Sequence, residues 1–444
     1  MIICPSADDF EKSLGTVSHP MFLGIIAIAS ALFAVTVYFG IIRHVTRRKG
    51  WRIFWGIVVS LLASSFIWAM RGRRFIQPDS GSYDLVTVGF YVMMVAVVMI
   101  LLILLRDLAM WIWKGVKAWQ NRRGRKLTPK NASDVQPSEL QEEKSSEKMD
   151  EAKNALLSRR AFLLRGSSYG VLAGTAVLSP PAVWMAKCDR KIREVDIPFE
   201  RWPEALDGLK IAHLSDIHVG NTITKKDIAA MVEETNALEP DIIVITGDIA
   251  DGIPKFVAPL LEPMRQFRAK YGIYYVTGNH EHMWGGREWC EAVANLGITV
   301  LNNEHRIVTV GGTAFAVAGA SDYNSTWRNK HWKSDPAAAL ADIPKEMFRL
   351  MLVHQPKSVD ISFENGADLV LLGHTHGGQF WPACYIVDLY HKYARGLYRV
   401  GNKAAFVSCG TGYWGPPMRL GVPPEICLVR LRHAQTPQTH TEKA

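Results

Sequence analysis

No two of the six cysteines (Cys4, Cys188, Cys290, Cys384, Cys409, Cys427) form a CxxC pair, and none has zinc-finger spacing. The cysteines therefore give no zinc-finger signature and leave the redox compartment open. Charge is missing from long stretches of the first 115 residues. Met21 to Ile42 runs 22 residues without a charged side chain, enough at 1.5 Å per residue to cross a hydrocarbon core of about 30 Å. Ile53 to Met70 and Leu85 to Leu105 are similarly uncharged, and three spans are expected. Lys130 to Lys153 has hardly an aromatic residue, so this mixed-charge stretch cannot bury enough apolar surface to fold alone and reads as a cytoplasmic linker. The net charge of +9 does not point to nucleic acid, because many lysines and arginines flank the apolar runs, where they report membrane orientation.

Those flanks set a topology. Arg43, Arg47, Arg48, Lys49 and Arg52 follow the first span, and Arg106, Lys114, Lys117, Arg122, Arg123, Arg125 and Lys126 follow the third. Both segments are expected in the cytoplasm. The leading segment with Asp8, Asp9 and Glu11, and the second connection, then lie outside, although Arg71, Arg73 and Arg74 in that connection pull weakly the other way. Ser158-Arg159-Arg160-Ala161-Phe162-Leu163, followed by a Gly/Ala-rich run from Gly166 to Val183, resembles a twin-arginine export signal. A fourth ordinary span or an interfacial helix is the alternative, and Arg165 interrupts the run. A signal or a span alike sends the following chain across the membrane. The expected division is 1–126 membrane region, 127–157 linker, 158–187 signal or fourth span, and 188–444 soluble domain.

From Asp196 the chain repeats one device, a short apolar run ending in a polar motif. Leu209 to Leu214 leads to Ser215-Asp216-Ile217-His218, and Ile242 to Thr246 leads to Gly247-Asp248-Ile249-Ala250-Asp251. Tyr274 to Thr277 leads to Gly278-Asn279-His280-Glu281-His282, Leu350 to Val353 to His354-Gln355-Pro356, and Leu369 to Leu372 to Gly373-His374-Thr375-His376-Gly377-Gly378-Gln379. Helical patterns lie between the early runs, over Thr224 to Leu238, Phe256 to Tyr271 and Arg287 to Leu296. This rhythm implies an α/β domain, in which sites form beyond the carboxyl ends of strands. Asp216, His218, Asp248, Asn279, His354, His374 and His376 offer more oxygen and imidazole ligands than one ion needs. Two divalent ions about 3.5–4 Å apart, bridged by a carboxylate, would use them all and leave room for a bridging water.

In order and spacing these motifs resemble the signature of the calcineurin-like metallophosphoesterases over roughly residues 195 to 432. The Gly377-Gly378-Gln379 continuation, Gly410-Thr411-Gly412 and Pro424-Glu425-Ile426 resemble its bacterial membrane-attached branch. The resemblance implies a two-sheet β-sandwich flanked by helices, with Asp216, His218, Asp248 and His376 on one metal and Asp248, Asn279, His354 and His374 on the other. It implies two ions drawn from manganese, iron or zinc, and attack of a metal-bridging hydroxide on a phosphoester. His280 would be the catalytic residue at the leaving group, with Asp251 and Glu281 orienting histidines or backbone.

Phe380, Trp381, Tyr385, Tyr413 and Trp414 read as core packing, and Lys392, Arg395 and Arg419 as surface charge. The sharper alternative for both sets is an amphipathic, lipid-linked substrate with a second phosphate. The expectation is therefore an extracytoplasmic phosphodiesterase or phosphatase of the bacterial inner membrane, with no nucleic-acid partner. A UDP-2,3-diacylglucosamine pyrophosphatase of lipid A synthesis, which needs the opposite topology, and a non-catalytic metal-binding scaffold are the competing readings.

Overall fold

The structure is a computed structural model that describes residues 19–72, 81–125, 139–325 and 332–434. Asp8, Asp9, Glu11, Arg73, Arg74 and the linker's first part, up to residue 138, lie outside the described residues. The described residues fall into two compact units, one within Ser18–Trp68 and Val92–Pro180, the other within Ala69–Tyr91 and Pro181–Ala444.

The first unit is helical. Four helices are long and apolar enough to cross a membrane, with candidate spans Ala27–Val45, Lys49–Ala69, Asp84–Arg123 and Ala161–Cys188. Each extends past the uncharged run that marks it in the sequence. The third helix covers Gly81–Arg125, and the fourth covers Glu139–Cys188, so the second half of the charged linker, Arg159 and the Gly/Ala-rich run share one helix. The first helix widens into a π-turn over Tyr38–Ile42. There the Gly40 carbonyl accepts hydrogen bonds from Arg106 Nη1 at 2.7 Å and Ser168 Oγ at 3.2 Å. Side chains from two other helices thus satisfy a backbone group within an apolar bundle.

The second unit contains twelve strands among the described residues: β1 Lys191–Phe199, β2 Leu209–Leu214, β3 Ile242–Thr246, β4 Ile273–Val276, β5 Thr299–Val300, β6 Glu304–Val310, β7 Thr313–Gly319, β8 Arg349–Leu352, β9 Leu369–Leu372, β10 Gly396–Val400, β11 Lys403–Val407 and β12 Glu425–His433. They form two six-stranded sheets, ordered β1-β12-β2-β3-β4-β5 and β10-β11-β9-β8-β7-β6. β2 to β5 run parallel in one sheet, and β7, β8, β9 and β11 in the other.

The strands read as continuous apolar runs because both faces are buried. On β3, Ile242 and Val244 join a core that includes Phe315, Leu350, Leu369 and Phe406, which closes the two sheets on each other. Ile243 and Ile245 join a second core with Ile228, Met231 and Trp289 from the flanking helices. A third, with Val370, Val359 and Phe363, covers the other sheet's outer face. Trp202 locks the sandwich edge-on against Phe348 and Phe315, at centroid distances of 4.9 and 5.2 Å.

One helix differs from the periodicity. The Phe256–Tyr271 stretch is one α-turn, Pro254–Val257, followed by a 3₁₀ segment, Ala258–Gln266. Pro259 and Pro263 lack the N–H that an α-helix would use, and the chain leaves the helix before Phe267.

Candidate metal centre

The polar motifs after β2, β3, β4, β8 and β9 meet beyond the carboxyl ends of those strands. All seven residues expected as ligands, and His280, come together there. The ligand atoms of Asp216, His218 and His376 lie within 4.8 Å of one another, as do those of Asp248, His354 and His374. His218 Nε2 is 3.1 Å from His376 Nε2, and His376 Nε2 is 3.4 Å from Asp216 Oδ1. Asp248 Oδ2, of the second group, lies 3.1 Å from His354 Nε2 and reaches toward the first, 3.8 Å from His218 Nε2.

The second group shows why these residues suit a cation. His354 Nδ1 lies 2.8 Å from the Thr246 carbonyl, to which it can only donate, so in the neutral ring Nε2 carries the lone pair. Asp248 Oδ2, Asn279 Oδ1 and His374 Nδ1 converge on that atom at 3.1, 3.2 and 3.1 Å. Electron-rich atoms gathered this closely in a buried space repel one another unless a proton or a metal ion lies between them. Aspartate, histidine and amide oxygen are a donor set for zinc, iron or manganese.

Without a cation, protons do this work. Burial would lower the His354 pKa, but Asp248 raises it well above the imidazole value. Burial would raise the Asp248 carboxyl, yet His354 and His280 pull it well below the carboxylate range. Burial pushes His374 down to about 4 and His376 well below the usual value.

Backbone conformation sets the aim of these side chains. Asp216, His218, Asp248, His374 and His376 all have φ between 51° and 73°, the left-handed region. Small neighbours make the turns possible. A Cβ on Gly373 would lie 2.1 Å from Asp216 Oδ2, and one on Gly278 2.1 Å from Asp248 Oδ1. Asp216 is fixed by the His374 N–H at 2.9 Å and the Ser215 hydroxyl at 2.6 Å.

Glu281 is fully buried and accepts from four backbone N–H groups, those of Asp248, Ile249, Ala250 and Gly278, at 2.7–3.3 Å. Burial raises its carboxyl to about 6. Asp251 Oδ1 bonds His280 Nδ1, and its other oxygen is 3.5 Å from His218 Nδ1. The first carboxylate organises backbone and the second organises rings. His280 Nε2 faces the site, 3.8 Å from Asp248 Oδ2, and its ring meets Trp414 edge-on.

Residues 209–378 match the profile of the calcineurin-like phosphoesterase family. That match spans β2 to β9 and takes in every motif gathered at the metal centre. The chain is similar to a metallophosphoesterase of Caenorhabditis elegans, 34% identical over 298 residues, 64% of this chain and 62% of that one. It is 34% identical over 268 residues to a Danio rerio transmembrane protein with metallophosphoesterase domain, covering 59% of this chain and 61% of the other. The metallophosphoesterase YkuE of Bacillus subtilis is 29% identical over 291 residues, 62% of this chain and 98% of that one. The chain thus spans about three fifths of the length of the first two relatives.

Two buried residues of this unit, Asp322 and His282, were not anticipated. Asp322 lies just past β7, almost fully buried, with both carboxylate oxygens held by the Gln355 amide at 3.1 and 2.9 Å. Burial pushes its carboxyl up to about 6. Gly319-Ala320-Ser321-Asp322 after an apolar run repeats the strand-end device, and that pattern could have found it. His282 is a buried ring bonded to Thr277 Oγ1 at 2.9 Å, lowered to about 4 by burial.

Arg419 corrects both readings of that residue, as surface charge and as a second phosphate contact. It is fully buried, and its guanidinium binds the carbonyls of His376 at 3.0 Å, Cys409 at 2.8 Å and Gly412 at 2.6 Å. Lys392 and Arg395 are paired to Asp360 and Asp388 at 2.8 and 2.7 Å.

Proposed function

We propose that this protein is a membrane-anchored phosphoesterase, most readily a phosphodiesterase, that works with two divalent cations. The observation that carries the reading is the pair of ligand groups, Asp216–His218–His376 and Asp248–His354–His374, joined through the single carboxylate of Asp248. Asn279 completes the second group. Two cations held there would supply Lewis acidity toward a phosphoryl group and a water molecule.

The chain's own residues do the rest. Asp248 Oδ2, between His354 and His218, would be within reach of a cation held by either group. Asp251 holds His280 through Nδ1, so that Nε2 can give a proton to the departing oxygen. Trp414 beside His280 walls one side of the reacting space. Residues 188–444 would be the catalytic domain, 1–126 and 158–187 the anchor, and 127–157 the connection between them.

An extracytoplasmic site is supported by the basic flanks after the first and third spans. It is also supported by the clustering of Ala69–Tyr91, which borders the outer connection, in one compact unit with Pro181–Ala444. The Arg159-Arg160 pair supports twin-arginine export and a bacterial inner membrane. A lipid-linked phosphoester is the substrate class that a domain tethered at a bilayer meets at high local concentration.

The test is hydrolysis of bis-p-nitrophenyl phosphate by the full chain in detergent, before and after chelation and in Asp248→Asn protein. Loss of turnover on chelation, recovery with added divalent metal and an inactive variant are expected. Undiminished turnover in chelator or in the variant would overturn the reading.

A further inference from the structure

The motif Gly373 to Gln379 runs directly into a short helix, Ala383–Tyr390, whose outer face is apolar and bare. Leu389 is 89% exposed, Tyr390 78%, Ile386 66%, Tyr385 57% and the preceding Trp381 45%. At 3.6 residues per turn the four helical side chains fall on one arc of about 140°. The opposite side is seated, with Cys384 buried against Cys409 and Val422. Gly378 allows the close approach, since a Cβ there would lie 2.4 Å from the Cys384 Cα. The helix is therefore fixed to the turn that carries His374 and His376, and the exposed face is a stable feature of it.

Single exposed apolar residues are ordinary on a soluble surface, but five large ones in ten residues mark an interaction site. The composition specifies the partner. Tyrosine and tryptophan beside leucine and isoleucine suit the boundary between headgroups and acyl chains. The only charge in the helix, Asp388, is neutralised by Arg395 at 2.7 Å, so no free carboxylate on this face opposes anionic headgroups. The same chain carries four candidate spans, and the last ends at Cys188, three residues before β1 begins at Lys191. A bilayer is thus the apolar phase this unit meets continuously.

The apolar face also connects to the metal centre. Gln379 holds the Trp414 backbone by two hydrogen bonds, 3.0 Å to its carbonyl and 2.9 Å from its N–H. The Trp414 ring, itself 42% exposed, stands 6.1 Å from the His280 ring.

We infer that Trp381 and the helix Ala383–Tyr390 form a membrane-interface element that rests the mouth of the metal site on the lipid surface. The element deepens the reading of a lipid-linked substrate, which it would let enter from the bilayer plane. Its docking can be measured without any turnover.

The experiment uses the full chain with Cys4 and Cys188 changed to serine, reconstituted in vesicles of phosphatidylethanolamine and phosphatidylglycerol. A Leu389→Cys variant carries an environment-sensitive fluorophore, and a Lys345→Cys variant, at another exposed position, serves as control. With nitroxide-labelled lipid in the vesicles, emission at 389 should be blue-shifted and quenched at least twofold more than at 345. Equal quenching at the two positions overturns the inference. So does a blue shift that persists in detergent and grows with protein concentration, which would identify a second copy of the chain as the partner. Failure of bis-p-nitrophenyl phosphate hydrolysis in the unlabelled chain would count against the proposed activity and leave the quenching result standing.

Discussion

Glu281 Oε2 accepts the backbone N–H of Asp248 at 2.9 Å, so the turn carrying the shared carboxylate is held by a side chain from the next motif. Its other oxygen takes the N–H groups of Ile249 and Ala250, at 2.8 and 3.3 Å. Glutamine at this position would turn an NH₂ group toward buried donors and leave at least one unpaired. At about 1–3 kcal/mol per unsatisfied buried group, Glu281→Gln should melt several degrees lower and retain less metal. Thermal denaturation and metal analysis of the purified chain check this.

His280 is held through Nδ1 by Asp251 and is not among the seven residues expected to bind metal. Its removal should therefore be felt in proton delivery more than in metal binding. His280→Ala is expected to lose about 10²–10⁴-fold on a diester with an alkoxide leaving group. The loss should be much smaller with p-nitrophenolate, which needs no proton to depart. Equal losses on both substrates would count against the role, and unchanged metal content distinguishes it from ligation.

Arg419 is fully buried and donates to the backbone carbonyls of His376, Cys409 and Gly412. Arg419→Met should remove this donor from the Cys409 and Gly412 carbonyls, leave His376 only the Gln379 N–H at 2.9 Å, and free the His376 turn from the Cys409–Gly412 segment. Lysine, with a single ammonium, cannot span the same acceptors, so Arg419→Lys should rescue little. Both variants are expected to lower the melting temperature and weaken metal retention, measured by denaturation and by metal titration.

Asp322 supplies a pH test. Its folded carboxyl is raised by burial to about 6, above an unfolded value near 3.8. A group raised in this way contributes stability that is full below the unfolded value and lost as pH rises through the folded one. Above pH 6 the fold carries a buried carboxylate. Asp322→Asn loses part of the Gln355 and Asn324 hydrogen bonding at every pH, but relative to the parent it should gain stability as pH rises from 4 to 7. A constant offset across that range would refute the assignment.

Much of this was legible in the sequence because buried parallel strands write themselves as apolar runs, and the polar residues ending them have nowhere to go except the common edge. Asp216, Asp248 and His354 could be placed from that pattern alone. Arg419 could not, since an isolated arginine among glycines and prolines looks solvated, and only the fold surrounds it with carbonyls. Trp381 and Tyr385 erred in the opposite direction. Aromatic residues after a site motif suggest core, but Gly378 and Cys384 take the inward positions and leave the rings outside. In the Phe256–Tyr271 stretch the apolar spacing was helical, and Pro259 and Pro263 overrode it.

Five of the seven proposed ligands are held at positive φ, a conformation that costs non-glycine residues on the order of 1–3 kcal/mol each when sparsely populated. Aspartate and histidine tolerate it better than most residues, so the same few residue types satisfy both backbone and chemistry. The turns are consequently a store of conformational energy that favours unfolding when ions are scarce and is offset when they bind. Maturation of the domain and its supply of metal would then be linked equilibria, and a starved cell would be expected to lose the protein itself along with its activity.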